Sequence, residues 1–357
     1  MIETCYRLTF NTPAFLGNAD QVAQWRTPPI KALLRQWWRV AYAAEQTRGV
    51  DVAAMRQAEG RLFGVAADSA GDSRKSQLRM RLSHWDEGSL RDWSGLDAQR
   101  VPHEEVGKEG KPGMVGAQLY LGYGPLTFKS GTSLKSGAAI DVSGKSRATH
   151  ADLKLAFPEG DEEQRLLKAL AMADLFGTLG GRSRNGWGSL SLKPLGSTPA
   201  LQTNLPDGVT QAWQQALTLD WPHAIGRDAR GPLIWTTGQR SEWREVMVDL
   251  ARIKIAMRLK FRFPKERPDG LVHERHWLSY PVTGHDVSAW KSDSLRLPNS
   301  LRFKVRADAN GKLRGVIFHM PCLPPPAFNP VRTQIERVWQ QVHQTLDGDA
   351  RLQRSLA

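Results

Sequence analysis

The stretch "LFGTLGGRSRNGWGSLSL", Leu175–Leu192, holds five glycines, Gly177, Gly180, Gly181, Gly186 and Gly188, with Arg182, Ser183, Arg184 and Asn185 between them. Ordering glycine is entropically costly, so such a stretch needs a reason. It follows an apolar helical run, "DEEQRLLKALAMADLF" (161–176), whose first-turn acids suit the helix dipole. It leads into the strand-like "GSLSLKPL" (188–195). Two readings of the turn stand side by side. In one it is a complicated helix-to-strand connection. In the other, a backbone without side chains lies close against a second backbone and aims N–H groups at phosphate. Arg182 and Arg184 would then add charge, and Asn185 tolerates unusual dihedrals. The stretch is no Walker loop, which puts Lys and Ser/Thr after its second Gly and opens a helix.

Upstream, "ETCYRLTFN" (3–11) alternates as a strand, and "TPAFLGNADQVAQWR" (12–26) is a loop. "TPPIKALLRQWWRVAYAAEQ" (27–46) is a helix, with Thr27 as cap and Pro28 and Pro29 in the first turn. Ile30, Leu33, Leu34, Trp37 and Ala41 share its apolar face. Lys31, Arg35 and Arg39, at i, i+4 and i+8, form a basic stripe, read either as a nucleic-acid contact or as a solvated face. Trp25 and Arg26 put an aromatic beside a cation just ahead of the helix, and aromatic stacking on bases contributes about 1–3 kcal/mol per base.

Strands are expected at 77–85 and 114–123, with a loop over 86–113. Residues 124–147, "GPLTFKSGTSLKSGAAIDVSGKSR", set Lys129, Lys135, Lys145 and Arg147 against Asp141. They read as an irregular basic excursion that orders against RNA or a neighbouring subunit. "THADLKLAF" (149–157) returns as a strand. The order strand, helix, strand, strand, helix, strand is that of a ferredoxin-like fold, shared with RNA recognition modules. After a linker at 196–208 come a helix (241–261), a strand "LVHERHWLSY" (271–280), a hairpin (300–321) turning near "DANG", and a terminal helix (331–346). The expectation is an α+β chain of two ferredoxin-like (RRM-like) domains. The first spans 1–197, with insertions at about 86–113 and 124–147. The second, 198–357, is degenerate and ends in a helix.

The net charge is +13, divided as +5 over residues 1–197 and +8 over 198–357, and arginine outnumbers lysine 33 to 16. The arginine fork grips phosphate bidentately and stacks on bases, so a polyanionic partner is expected, with solubility alone as the alternative. Hydrophobic residues make up 40%, enough for a sizeable core. No apolar run reaches the roughly 18 residues of a membrane span. The opening "MIETCYRLTF" reads as a strand and not as a signal peptide, so a cytoplasmic location is expected. Cys5 and Cys322 read as small core residues. No cofactor and no metal is expected, and "HERH" (273–276) lacks the H-E-x-x-H spacing.

"TPPIKALLRQWWR" (27–39), "EGRLFG" (59–64) and "LFGTLGGRSRNGWGSL" (175–190) together resemble the RAMP superfamily of CRISPR proteins. The first two, with "LRLPNSLRFKVRADANGKLRGVIFHMP" (295–321), are similar more narrowly to the subunit-one family of the Cmr complex, the type III-B effector. The resemblance implies a ribonucleoprotein subunit of antiviral defence, near the end of a backbone of related subunits. Such a subunit helps to hold the 3′ portion of the guide RNA and the target RNA, and is not the slicing subunit. Carried over, the glycine loop and Lys31, Arg35 and Arg39 become guide or target contacts. The alternative is a RAMP endoribonuclease that processes guide RNA or cuts target RNA. Asp20, between the first strand and first helix, would then be its general base. A loop aspartate is also an ordinary turn residue. A third class is a structural protein, basic only for assembly.

Overall fold

Alternation over Ile2–Phe10 builds strand β1, with Thr4, Tyr6, Leu8 and Phe10 buried on one face and Cys5, Arg7 and Thr9 partly exposed on the other. The computed structural model describes residues 1–357 except 47–48, 67–72, 108–110, 136, 143–148, 265–269, 292–293 and 356–357. The chain divides into two compact units. The first comprises Met1–Gly95, Leu121–Val209 and Lys304–Leu313, and the second Leu96–Tyr120, Thr210–Phe303 and Arg314–Ala357. Compared with a cut at 197/198, residues 96–120 join the second unit, and 198–209 and 304–313 the first.

In the first unit β1 is followed by helices α1 (Thr27–Ala44) and α2 (Val52–Phe63), strand β2 (Arg79–Leu82), the hairpin β3 (Leu126–Phe128) and β4 (Thr132–Leu134), strand β5 (His150–Phe157), helix α3 (Asp161–Phe176) and strand β6 (Leu190–Pro194). One antiparallel sheet takes the order β2-β5-β1-β6, with Tyr6 opposite Leu153 and Leu8 opposite Leu192. Helices α1 and α3 pack together, with Trp37 6.0 Å from Phe176 between ring centroids. Trp38 is also core: its ring is buried and its indole N–H donates to Glu162 at 3.0 Å.

A second four-stranded sheet, which falls in the second unit except for residues 304–307 and Leu313, runs β8-β9-β7-β10, built from β7 (Ile234–Thr237), β8 (Leu301–Ala307), β9 (Leu313–His319) and β10 (Leu352–Arg354). Helix α4 (Trp243–Leu259) follows β7 and helix α5 (Arg332–Asp347) follows β9. Both sheets thus place their second, third, first and fourth strands side by side in that order, with helices after the first and third. Inside the second unit His319 and His343 are buried and joined by a 2.9 Å contact, and Trp339 stacks on His319 at 4.1 Å. Desolvation keeps both rings neutral, His319 well below its ordinary pKa and His343 down at about 3.

Four expectations need correction. Residues 114–123 are not one strand: a short strand Gly113–Gly116 gives way to a helix, Ala117–Gly122. The excursion at 124–147 is in part ordered by its own chain, since β3 pairs with β4 and the buried Ala139 and Ile140 bridge to Leu90 and Ala14. Residues 271–280 form no strand: Glu274–Trp277 is a 3-10 turn, closed by ring nitrogens of His273 and His276 accepting backbone N–H groups. Cys5 and Cys322 form no disulfide, and neither is fully buried. No helix among the described residues is long and apolar enough to cross a membrane.

Candidate nucleic-acid interface

The glycine loop lies within the first unit, against the segment that follows β1. The Gly181 N–H donates to the Phe15 carbonyl at 2.8 Å and the Gly188 N–H to the Pro13 carbonyl at 3.0 Å. Gly180 has φ +88°, and a Cβ there would stand 2.5 Å from the Phe15 carbonyl oxygen. Only glycine allows that dihedral together with that approach. The close backbone contact expected of the loop is therefore present, but its partner is protein. The donors of Asn185 and Gly186 are also occupied, by the carbonyls of Arg182 and Ser183. The expected N–H cradle for phosphate is not formed by Gly181, Asn185, Gly186 or Gly188.

Further anchors hold the loop rigid. The Thr12 hydroxyl donates to the Gly186 carbonyl at 2.7 Å, and the Asn185 amide donates to the Leu121 carbonyl at 2.8 Å. Trp187 is fully buried, 4.8 Å from Phe15 and 5.9 Å from Trp93 between ring centroids. The apex, Arg182 to Arg184, carries two exposed arginines around the half-buried Ser183. Arg182 takes a left-handed φ of 55° and lays its guanidinium over Gly124, whose missing Cβ position is 3.0 Å from Nη2 and 3.6 Å from Cζ. Desolvation there lowers the Arg182 pKa, and the group remains a cation.

Loop and hairpin together rim a cleft of about 550 Å³. Its lining includes Phe15, Arg26, Pro125, Lys135, Gly180 and Gly181, and no aspartate or glutamate is among the lining residues. The Nε of Arg26 is buried without a hydrogen-bond partner among the described residues. A desolvated guanidinium donor left open in this way favours an anionic acceptor. Lys135 is exposed at the mouth, and Lys129 is exposed at the tip of the β3–β4 hairpin.

Other expected site residues lie elsewhere or are otherwise engaged. Trp25 is fully buried, stacked on Phe10 at 5.2 Å, so it offers no face to a base. Its place in the stretch before α1 made it look like an exposed platform, whereas its backbone N–H bonds Asp86 and its ring fills the core. Arg35 and Arg39 both converge on the buried Glu59 of α2, Arg35 at 2.7 Å, and each remains 39% exposed. The contact to Glu59 raises the Arg39 pKa. The two guanidiniums and one carboxylate together keep a single positive charge. Lys31, the third member of the stripe, is half-buried, and its pKa is lowered by desolvation and by Arg35. Asp20 is exposed in a turn in which its N–H and that of Val22 donate to the Asn18 side chain. Lys145 and Arg147 lie outside the described residues. The sequence reading passed over Phe15, Trp187 and Trp93. Aromatics spaced so far apart in the chain give no local signal of meeting.

Residues 7–191 match the family model of the RAMP superfamily, 185 of the 357 residues and just over half of the chain. No curated protein matches the sequence. Among solved structures, the chain is similar to the apo crystal structure of Cmr1 from Pyrococcus furiosus, at 14% identity over 96% of this chain and 97% of that one, TM-score 0.44. It is similar also to a chain of the type III-B Cmr-beta complex bound to cognate target RNA, at 13% identity over 95% and 99%, TM-score 0.43. A chain of a type IV-B CRISPR complex aligns at 13% identity over 57% and 94%, TM-score 0.30. At these identities and TM-scores the likenesses do not say what this chain binds. The family model, which covers the glycine loop and helices α1, α2 and α3, places this chain in the RAMP superfamily.

Proposed function

We propose that this protein is an RNA-binding subunit of a type III-B CRISPR (Cmr) ribonucleoprotein effector, holding guide RNA, target RNA or both in the cytoplasm beside related subunits. Membership of the superfamily and the Cmr-like segments at 27–39, 59–64 and 295–321 support that choice of assembly. The observation that carries RNA binding is the carboxylate-free cleft with Arg26 and Lys135 in its lining and Arg182 laid over Gly124 at its rim. The shared strand order of the two sheets supports reading both units as ferredoxin-like.

In this reading the subunit binds RNA and does not cut it. RNA hydrolysis needs an acid and a base beside the 2′-hydroxyl. Among the described residues that line the cleft there is no histidine and no carboxylate, and Asp20 sits in its turn outside that lining.

The test is fluorescence anisotropy of a labelled single-stranded RNA at 50 and 200 mM salt. The wild-type affinity falls steeply with salt, and the triple variant Arg26→Ala, Lys135→Ala, Arg182→Ala lowers the log–log slope by about 2. A folded triple variant with unchanged affinity and slope refutes the assignment of RNA to this cleft. RNA cleavage by the purified chain, abolished by Asp20→Ala, would favour the endoribonuclease instead.

A further inference from the structure

Two aromatic side chains flanking the cleft-lining residues Gly124 and Pro125 in the chain are largely exposed. Tyr123 is 64% exposed and Phe128 is 59% exposed. Exposed rings of this size lose hydrophobic free energy in water unless a partner covers them. Both belong to one small element. Tyr123 directly precedes Gly124 and Pro125, which line the cleft, and Phe128 ends strand β3. Leu126 and Phe128 share a strand face by alternation. Leu126 is fully buried and anchors the hairpin, while Phe128 stands out in solvent. Each ring also has a cation at hand. Arg182 covers Gly124 next to Tyr123, and the exposed Lys129 follows Phe128.

We propose that Tyr123 and Phe128 form a stacking platform for unpaired bases of a single RNA strand whose phosphates lie along Arg26, Arg182 and Lys135. The inference rests on the RNA-binding reading of the cleft and adds that the strand is unpaired at this point. Cations alone would suit a duplex or an acidic protein segment equally well. The rings discriminate: bases inside a duplex hide their faces against one another, and single strands expose them to aromatic side chains. An acidic peptide would leave both rings unmatched. Stacking of this kind is tolerant of sequence, because every base has a face. A subunit that must accept any guide or target therefore needs no base-specific hydrogen bonds here.

The experiment uses the full chain, a 12-nucleotide single-stranded RNA, the same backbone made abasic, and the same RNA as a blunt duplex. Tyr123→Ala and Phe128→Ala each weaken binding of the single strand about 5- to 100-fold. They leave the salt slope and the affinity for the abasic strand unchanged, since no phosphate contact is lost. Tyr123→Phe and Phe128→Tyr retain wild-type affinity. Wild type prefers the single strand to the duplex, and the double alanine variant loses that preference. An unchanged single-strand affinity in the double alanine variant, with the Arg26, Lys135 and Arg182 effects intact, overturns the platform and leaves RNA binding standing. Equal losses on normal and abasic strands overturn it too. A double variant that keeps RNA affinity and fails to co-purify with a protein subunit reassigns the rings to protein docking. If wild type binds no RNA at 50 mM salt, the RNA reading and the platform fall together.

Discussion

In both units a helix hands over to the last strand of a four-stranded sheet with the same strand order, yet the first unit takes thirteen residues for the connection (177–189) and the second takes four (348–351). Closing the sheet therefore needs only the short turn. The long one does something else: it leans on the backbone of residues 13–15, buries Trp187 and sets Arg182 at the rim of a cleft. The glycines are there because two backbones meet, and the cleft is a consequence of that meeting. The second unit puts its resources into a packed interior of histidine and tryptophan.

The largest effect is expected at the meeting point itself. Gly180→Val adds a Cβ against the Phe15 carbonyl at a positive φ and costs about 3–5 kcal/mol, read from the urea midpoint. A loss below about 1 kcal/mol would mean that the long loop yields easily, and the contrast between the two turns would lose its structural basis.

Next come the buried carboxylates, where the two units are alike. Glu59 sits under Arg35 and Arg39, and Asp249 under Arg240 at 2.9 Å and Arg252 at 3.8 Å. Glu59→Gln leaves two guanidiniums facing one another and costs about 2–3 kcal/mol, less than a fully buried pair because the arginines are partly hydrated. Asp249→Asn costs less, since Arg252 stands further off. Urea titration of the two variants in parallel decides the order, and a reversed order would show that the longer ion pair is the stronger.

The units also titrate in different windows. Lys304, in the first unit, is fully buried and donates to the carbonyls of Ala173 and Asp174 at the end of α3, and burial brings its pKa from 10.5 to about 7. Between those values the unfolded chain holds a proton that the folded chain lacks. Stability therefore rises with pH from about 7 to about 10.5 by up to about 1.4 kcal/mol per unit. Lys304→Met removes that slope. In the second unit His343 is depressed from 6.5 to about 3, so stability is full above about 6.5 and drains away as pH falls toward 3. His343→Gln flattens the acid limb. Thermal melts across pH 4–10 measure both, and an acid limb identical in wild type and His343→Gln would remove the histidine pair from the account.

The smallest effect completes the contrast. Gly348, in the four-residue turn, has φ −87° and only ordinary contacts around its missing Cβ, the nearest at 3.4 Å. Gly348→Ala shifts stability by no more than about 1 kcal/mol, and a stabilising sign is expected. A cost equal to that of Gly180→Val would erase the distinction.

Much of this architecture is legible in the chain. The 3.6-residue pattern marks α1 and α3, alternation marks β1 and β5, and "DANG" marks the β8–β9 turn, where Asp308 accepts N–H groups from Asn310 and Lys312. Residues 271–280 misled because histidine rings close a turn there, which propensity does not register. In the candidate site the residue types were legible in the sequence and their surroundings were not. Trp25 and the pair Arg35 and Arg39 have the right chemistry and the wrong surroundings, while Tyr123, at the end of an expected strand, and Phe128, in a stretch that read as irregular, drew no notice.

The amino-acid sequence alone determined where the glycines cluster, where the strongly periodic helices and strands lie, and that the chain is strongly basic, since dihedral freedom, periodicity and charge are local properties. Only the tertiary structure decided which of those charges remain available. A guanidinium is neutralised or left open by whatever the fold brings to it: Glu59, twenty residues along the chain, reaches Arg39, while among the described residues nothing comparable reaches the Nε of Arg26.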